Sequence, residues 1–187
     1  MLLAVPALLA LAAALLRGGS LRHLAALPFR GGTFIFTSLA IQVLIYLPFV
    51  RTSPLVLHWG GIIYIITLGL ALAGVLRNWS LGTPVRLATL GLALNALVIA
   101  ANGGSMPVNA AAMRAVHRDA KAQEVAAQQL YSNTRPAGAS TRLRVLSDII
   151  PIDSPGGLGN VYSIGDLLLA AGGAALVYSA TRRPYAG

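Results

Sequence analysis

Five stretches of this sequence are apolar enough to be read as membrane-crossing helices, and nothing else in the chain constrains its fold as strongly. They cover residues 1–16, 33–50, 55–76, 87–101 and 164–180. A helix that crosses the hydrocarbon core needs about 20 mostly apolar residues, with about 17 as a practical minimum. The first and fourth runs are short by that measure. Pro6 and Pro48 lie near run ends, where a missing backbone donor does least damage. Only 10% of the 187 residues are charged, against about 25% in average soluble chains. An ordinary soluble enzyme, a disordered tail and an acidic binding module are excluded on that ground. The expected fold class is an all-α membrane protein. It has about five transmembrane helices, an external amphipathic helix, and a re-entrant or interfacial segment.

The first run has no positive residue before it, while Arg17, Arg22 and Arg30 follow it. That order is the reverse of a secretory signal, and no small-residue cleavage site stands out, so a retained helix is expected. Loop arginines set the orientation. The first loop carries Arg17, Arg22 and Arg30, the third Arg77 and Arg86, and the tail Arg182 and Arg183; the short second loop has only Arg51. The expectation is a multi-pass bacterial plasma-membrane protein. Its N-terminus and the loop 102–163 lie outside, and its C-terminus is cytoplasmic. The chain holds 14 Lys and Arg against 5 Asp and Glu, a net charge of +9. Most of this charge sits at helix ends, where orientation and anionic headgroups account for it, so the expected partners are the lipid bilayer and other membrane subunits, with no nucleic acid. There are no cysteines, which excludes disulfides and thiolate chemistry. No metal-ligand spacing stands out, and no cofactor is expected. No internal repeat points to an inverted-repeat transporter.

The acids divide the chain. All five are confined to Asp119, Glu124, Asp148, Asp153 and Asp166. Residues 1–101 read as a four-helix platform, and residues 102–187 as an external segment with a last transmembrane helix at 164–180. The segment opens Asn102-Gly103-Gly104-Ser105-Met106-Pro107. The plain reading is a helix C-cap followed by the first-turn proline of a new helix; a backbone nest for a substrate is the alternative. Residues 107–131 are rich in helix formers, with a thin apolar stripe and a basic face of Arg114, His117, Arg118 and Lys121. They read as an amphipathic helix, with His117 as a solvated member of that face. Residues 143–153 form an apolar run too short to cross, which is expected to be re-entrant or interfacial. A Gly-rich turn then leads to Ser163 and Asp166 at the start of the last helix.

Asp166 is the most informative residue. An acid inside a span costs at least about 2.5 kcal/mol, and such residues usually pair or face water. It is either a first-turn acid favoured by the helix dipole, with Ser163 as the cap, or a functional carboxylate. Asp148 is also embedded among apolar residues. Two adjacent carboxylates cannot both ionise cheaply, so such a pair acts as base and acid in aspartyl hydrolases. Gln42 and Asn95, polar residues within spans, read as interhelical hydrogen-bond glue. His58 and Trp59 read as an interfacial pair, and Gly172-Gly173 as a site of close helix packing.

The string Asn102-Gly103-Gly104…Met106-Pro107-Val108, then Leu146-Ser147-Asp148-Ile149-Ile150-Pro151, then Asn160-Val161-Tyr162-Ser163-Ile164-Gly165-Asp166-Leu167-Leu168 resembles a family of small bacterial integral membrane proteins of unknown function. That resemblance implies a bacterial membrane protein and no activity. Asp148 and Asp166 in their contexts also look like the two motifs of lipoprotein signal peptidase, an aspartyl enzyme of the inner membrane. That resemblance implies Asp148 and Asp166 as a catalytic dyad, with Arg142 matching an upstream basic residue. Asn102, Asn160 and Ser163 would stand in support. Here Ser163 stands where that family has Asn, and Gly165 where it has Ala. Two functions are therefore expected to compete: an accessory or structural subunit of a membrane complex, and a membrane aspartyl hydrolase at the outer leaflet.

Overall fold

The computed structural model describes residues 4–117, 132–154 and 159–183. The described chain is mostly helical. In order it contains α1 (Val5–Leu16), α2 (Leu21–Ala25), α3 (Gly32–Tyr46), α4 (Pro54–Leu76), α5 (Thr83–Ala101), β1 (Met106–Val108), α6 (Ala110–Ala115), β2 (Thr134–Pro136), β3 (Ile150–Ile152), β4 (Asn160–Tyr162) and α7 (Ile164–Arg182). Prolines open α1, α4 and α5, where their missing N–H has no helical partner to lose. The Ser53 hydroxyl caps α4 by accepting from the Val56 N–H.

Three helices, α4, α5 and α7, are long and apolar enough to cross a membrane; α1 and α3 are shorter apolar helices. The expectation of five spans is thus met by three on length and composition. The reason for α3 is local. Its apolar run continues past Tyr46, but Leu47 precedes Pro48 and adopts an extended backbone, φ −60° and ψ 137°, as the residue before a proline is driven to do.

The helices pack as a series of neighbours: α3 on α4, α4 on α5, α5 on α7, and α7 on α1. The last helix is therefore inserted between the first and fifth. Small residues set this packing. A Cβ on Gly91 would strike the Leu169 N–H, and one on Gly172 would lie 2.6 Å from the Pro84 carbonyl oxygen. Gly173, by contrast, faces open space. The main core joins Ile45, Val56, Tyr64, Leu68, Leu92, Val98, Ile99 and Met106. Within it, the Gln42 amide donates to the Ser38 and Thr67 hydroxyls, and Ser38 donates to the Thr67 carbonyl. Gln42 is the α3–α4 glue that the sequence suggests.

The segment after α5 departs from the expected all-α class. Helix α5 ends as predicted, with a glycine cap: Gly103 has φ +68°, its N–H donates to the Ala100 carbonyl, and Gly104 N–H donates to that of Ile99. The chain then forms a strand, not the predicted helix start. Pro107 lies in β1, which pairs in parallel with β2 (Pro107 opposite Arg135). The helix expected over 107–131 begins at Ala110, where the Asn109 side chain caps it, and has ended by His117, whose φ is +56°. Residues 118–131 of that expectation lie outside the described residues. Pro107 has no N–H to donate, and in β1 it takes part through its carbonyl, which accepts from the Asp148 N–H.

Residues 143–153, expected as a re-entrant or interfacial segment, form a single 3-10 turn (Arg144–Leu146) and β3. Strand β3 pairs antiparallel with β4. The small strand layer encloses its own core of Val108, Ala112, Met113, Val116 and Val161.

Candidate functional site

The site is built where α5, the start of α7 and the strand layer meet. Ser163 is the N-cap of α7 and is fully buried. Its hydroxyl accepts from the Asp166 N–H at 2.9 Å. The Asp166 carboxylate reaches back and accepts from the Ser163 N–H at 3.2 Å. This is a reciprocal capping box, which satisfies two otherwise orphaned donors at the helix start. Asn95, on α5, closes the arrangement. Its amide donates to the other Asp166 oxygen at 2.7 Å, and its carbonyl oxygen accepts from the Ser163 hydroxyl at 2.8 Å. Asn95, Ser163 and Asp166 thus form a closed ring of hydrogen bonds that joins two membrane-length helices.

Asp148 enters from the strand layer. Its backbone N–H donates to the Pro107 carbonyl at 3.0 Å, and its carbonyl accepts from the Asn109 N–H at 2.9 Å. It therefore extends the β1–β2 pair with a third, bridging residue. The next residue, Ile149, donates its N–H to Tyr162, directly before the cap Ser163. The Tyr64 hydroxyl on α4 also meets this region, where it accepts from the Asn133 amide. Sequence reasoning did not single out Tyr64, since a tyrosine inside an apolar run gives no signal beyond core packing.

The other expected residues stand apart from this ring. Asn102 uses its side chain as a peptide-like clamp: its oxygen accepts from the Arg142 N–H and its amide donates to the Arg142 carbonyl, both at 3.0 Å. The clamp holds the backbone of Arg142, whose side chain is exposed. The following residue, Leu143, has φ +53°, a conformation rare for a bulky side chain. Asn160 is opposite Ile152 in the β3–β4 pair. Asn133, another residue the sequence left unmarked, fastens the strand layer to the helix tops. Its backbone N–H donates to the Tyr46 hydroxyl and its amide to that of Tyr64, both at 3.0 Å. Among the described residues, no group of three or more His, Cys, Asp or Glu is placed to hold a metal ion.

The motifs at Asn102–Val108, Leu146–Pro151 and Asn160–Leu168 all converge on this region, and they fall within a stretch, residues 26–178, that matches a single family. The chain belongs to DUF5317, a family of unknown function. No curated protein and no solved structure matches it. For DUF5317 as this chain presents it, the shared region spans α3, α4, α5, the strand layer and all but the end of α7.

Proposed function

We propose that this DUF5317 chain is a non-enzymatic polytopic membrane protein, an accessory or structural subunit of a larger membrane complex. The observation that carries this reading is the state of Asp166. Both of its carboxylate oxygens accept hydrogen bonds, from the Asn95 amide and the Ser163 N–H, so it works as an architectural acid. An acid held this way satisfies the cost of placing a charge in a span and fixes the register of α5 against α7. The large apolar residues left exposed support the same reading. They include Leu8, Leu9, Phe36, Val43, Leu55 and Ile62 on α1, α3 and α4, and such faces are covered by lipid or by neighbouring subunits. The outward placement of the strand layer and the cytoplasmic placement of the arginine-rich loops belong to this proposal.

A specific observation favours a second reading, an aspartyl hydrolase: the Ile149 N–H donates to the Tyr162 carbonyl, which sets the Asp148 segment against the residue before the Ser163 cap of Asp166. The two readings separate in one experiment. Asp148→Asn and Asp166→Asn are introduced into the native gene, and the size of the assembly extracted in mild detergent is compared with cellular function. A subunit loses function only as far as it loses assembly or abundance. A hydrolase loses function in both variants while the protein stays abundant and its assembly unchanged.

A further inference from the structure

A second polar site lies at the opposite end of the helices, where the loops after α2 and α4 meet. It is a surface depression of about 530 Å³ lined by Ala26, Pro28, Arg30, Arg77, Asn78, Ser80 and Leu81. Its floor is fixed. Asn78 is almost wholly buried, and its amide donates to the carbonyls of Arg30 (2.7 Å) and Gly74 (2.9 Å). Its side-chain oxygen accepts from the Arg30 N–H at 2.7 Å. The Arg30 backbone is thereby held through both its N–H and its carbonyl. Arg77 is held by its side chain. Its stem runs against Gly31, where an added Cβ would lie 3.0 Å from the Arg77 Cδ, and its guanidinium lies 4.4 Å from the centre of the Phe34 ring. Stacking on a ring face leaves the in-plane N–H donors directed outward.

The described segments meeting at this end are residues 17–31, 77–86 and 182–183; they carry seven arginines and no Asp or Glu. Membrane orientation alone asks for positive charge but not for a buried asparagine that fixes the backbone of one arginine or an aromatic ring that orients the side chain of another. Arginine is the residue whose planar fork matches phosphate oxygens.

We propose that the depression bounded by Arg30, Arg77, Asn78 and Ser80 binds a phosphate group, carried on an anionic lipid headgroup or as a free phosphate. Basic pockets between helix ends are suited to headgroups of this kind. Arg30 and Arg77 supply the charged donors, and the Ser80 hydroxyl a neutral one. This inference is independent of whether Asp148 and Asp166 are architectural or catalytic.

The test uses the full chain with Trp59→Phe, so that Trp79, beside the depression, is the remaining tryptophan reporter. Its fluorescence is followed in phosphatidylcholine nanodiscs as the phosphatidylglycerol fraction is raised, and separately in neutral detergent as inorganic phosphate is added. A saturable change with phosphatidylglycerol alone identifies a headgroup site, and one with inorganic phosphate identifies a free-phosphate site. Arg30→Gln and Arg77→Gln are each expected to weaken the response about tenfold, the loss of one charge-assisted contact. Gly31→Ala, which displaces the Arg77 stem but keeps every charge, should weaken it too. Added salt should weaken it in the unaltered chain. No saturable change in either arm overturns the proposal, as does an unchanged response in both arginine variants.

Discussion

Gly165 is the position where a single methyl group should do most harm. A Cβ there would overlap the Asn95 side-chain oxygen and stand 2.7 Å from both the Asn95 Cγ and the Gly91 carbonyl oxygen. Gly165→Ala therefore forces Asn95 out of place or α7 away from α5. Overpacking of a filled site costs about 1–3 kcal/mol. Displacing Asn95 also breaks its bonds to Asp166 and Ser163, and interhelical hydrogen bonds in membranes average about 0.6 kcal/mol each. The expected loss is about 2–4 kcal/mol. Gly173→Ala is the matched control: it is on the same helix, with nothing within 4 Å of the new methyl. Alanine is a better helix former than glycine by about 0.8–1 kcal/mol, so Gly173→Ala should be neutral or slightly stabilising. Unfolding in mixed micelles by stepwise addition of sodium dodecyl sulfate measures both. If the two variants agree within about 0.5 kcal/mol, the close α5–α7 approach is refuted.

Three further outcomes are expected. Asn78→Ala removes three hydrogen bonds in a buried position and leaves the Arg30 peptide unit and the Gly74 carbonyl to find other partners; a loss of about 2–4 kcal/mol should appear in the same assay. Gln42→Leu removes the Gln42 amide bonds to Ser38 and Thr67 but keeps the Ser38–Thr67 bond, and should cost about 1–2 kcal/mol; an unchanged midpoint would show that the Gln42 amide contributes nothing to holding α3 on α4. The chain contains no cysteine, so single cysteines placed at Arg22 and at Ala139 report orientation. In intact cells an impermeant maleimide should label the second and spare the first; the reverse pattern would invert the proposed topology.

The membrane-length helices were legible because hydrophobicity along a helix is a local property of sequence. The glycine cap of α5 was legible for the same reason: Gly103 and Gly104 supply the positive φ that the turn demands. The strand layer was not. Residues 107–116 carry strong helix formers, and only β2 and Asp148, distant in sequence, give β1 a ladder to join. Tertiary pairing overrode local propensity there. The candidate site was half visible. Asp166, Ser163 and Asn95 each attracted notice separately, as an acid in an apolar run, its cap and a polar residue in a span. That Asn95 meets the other two depends on the insertion of α7 beside α5, which no pattern in the sequence encodes. Asn78, Asn133 and Tyr64 gave no signal because single residues of those types at a helix end, in a loop and inside an apolar run are common and their partners lie far along the chain.

The central claim is that Asp166 is spent on architecture, bonded to Asn95 and to its own helix start. A double-mutant cycle on Asn95→Ala and Asp166→Ala tests it directly, with unfolding in mixed micelles as the readout. The account predicts a coupling of about 1–2 kcal/mol between the two sites, because each substitution removes a partner of the other. Additive effects, equal within about 0.3–0.5 kcal/mol, would mean that the Asp166 carboxylate is not held by Asn95, and would return it to the role of an available acid.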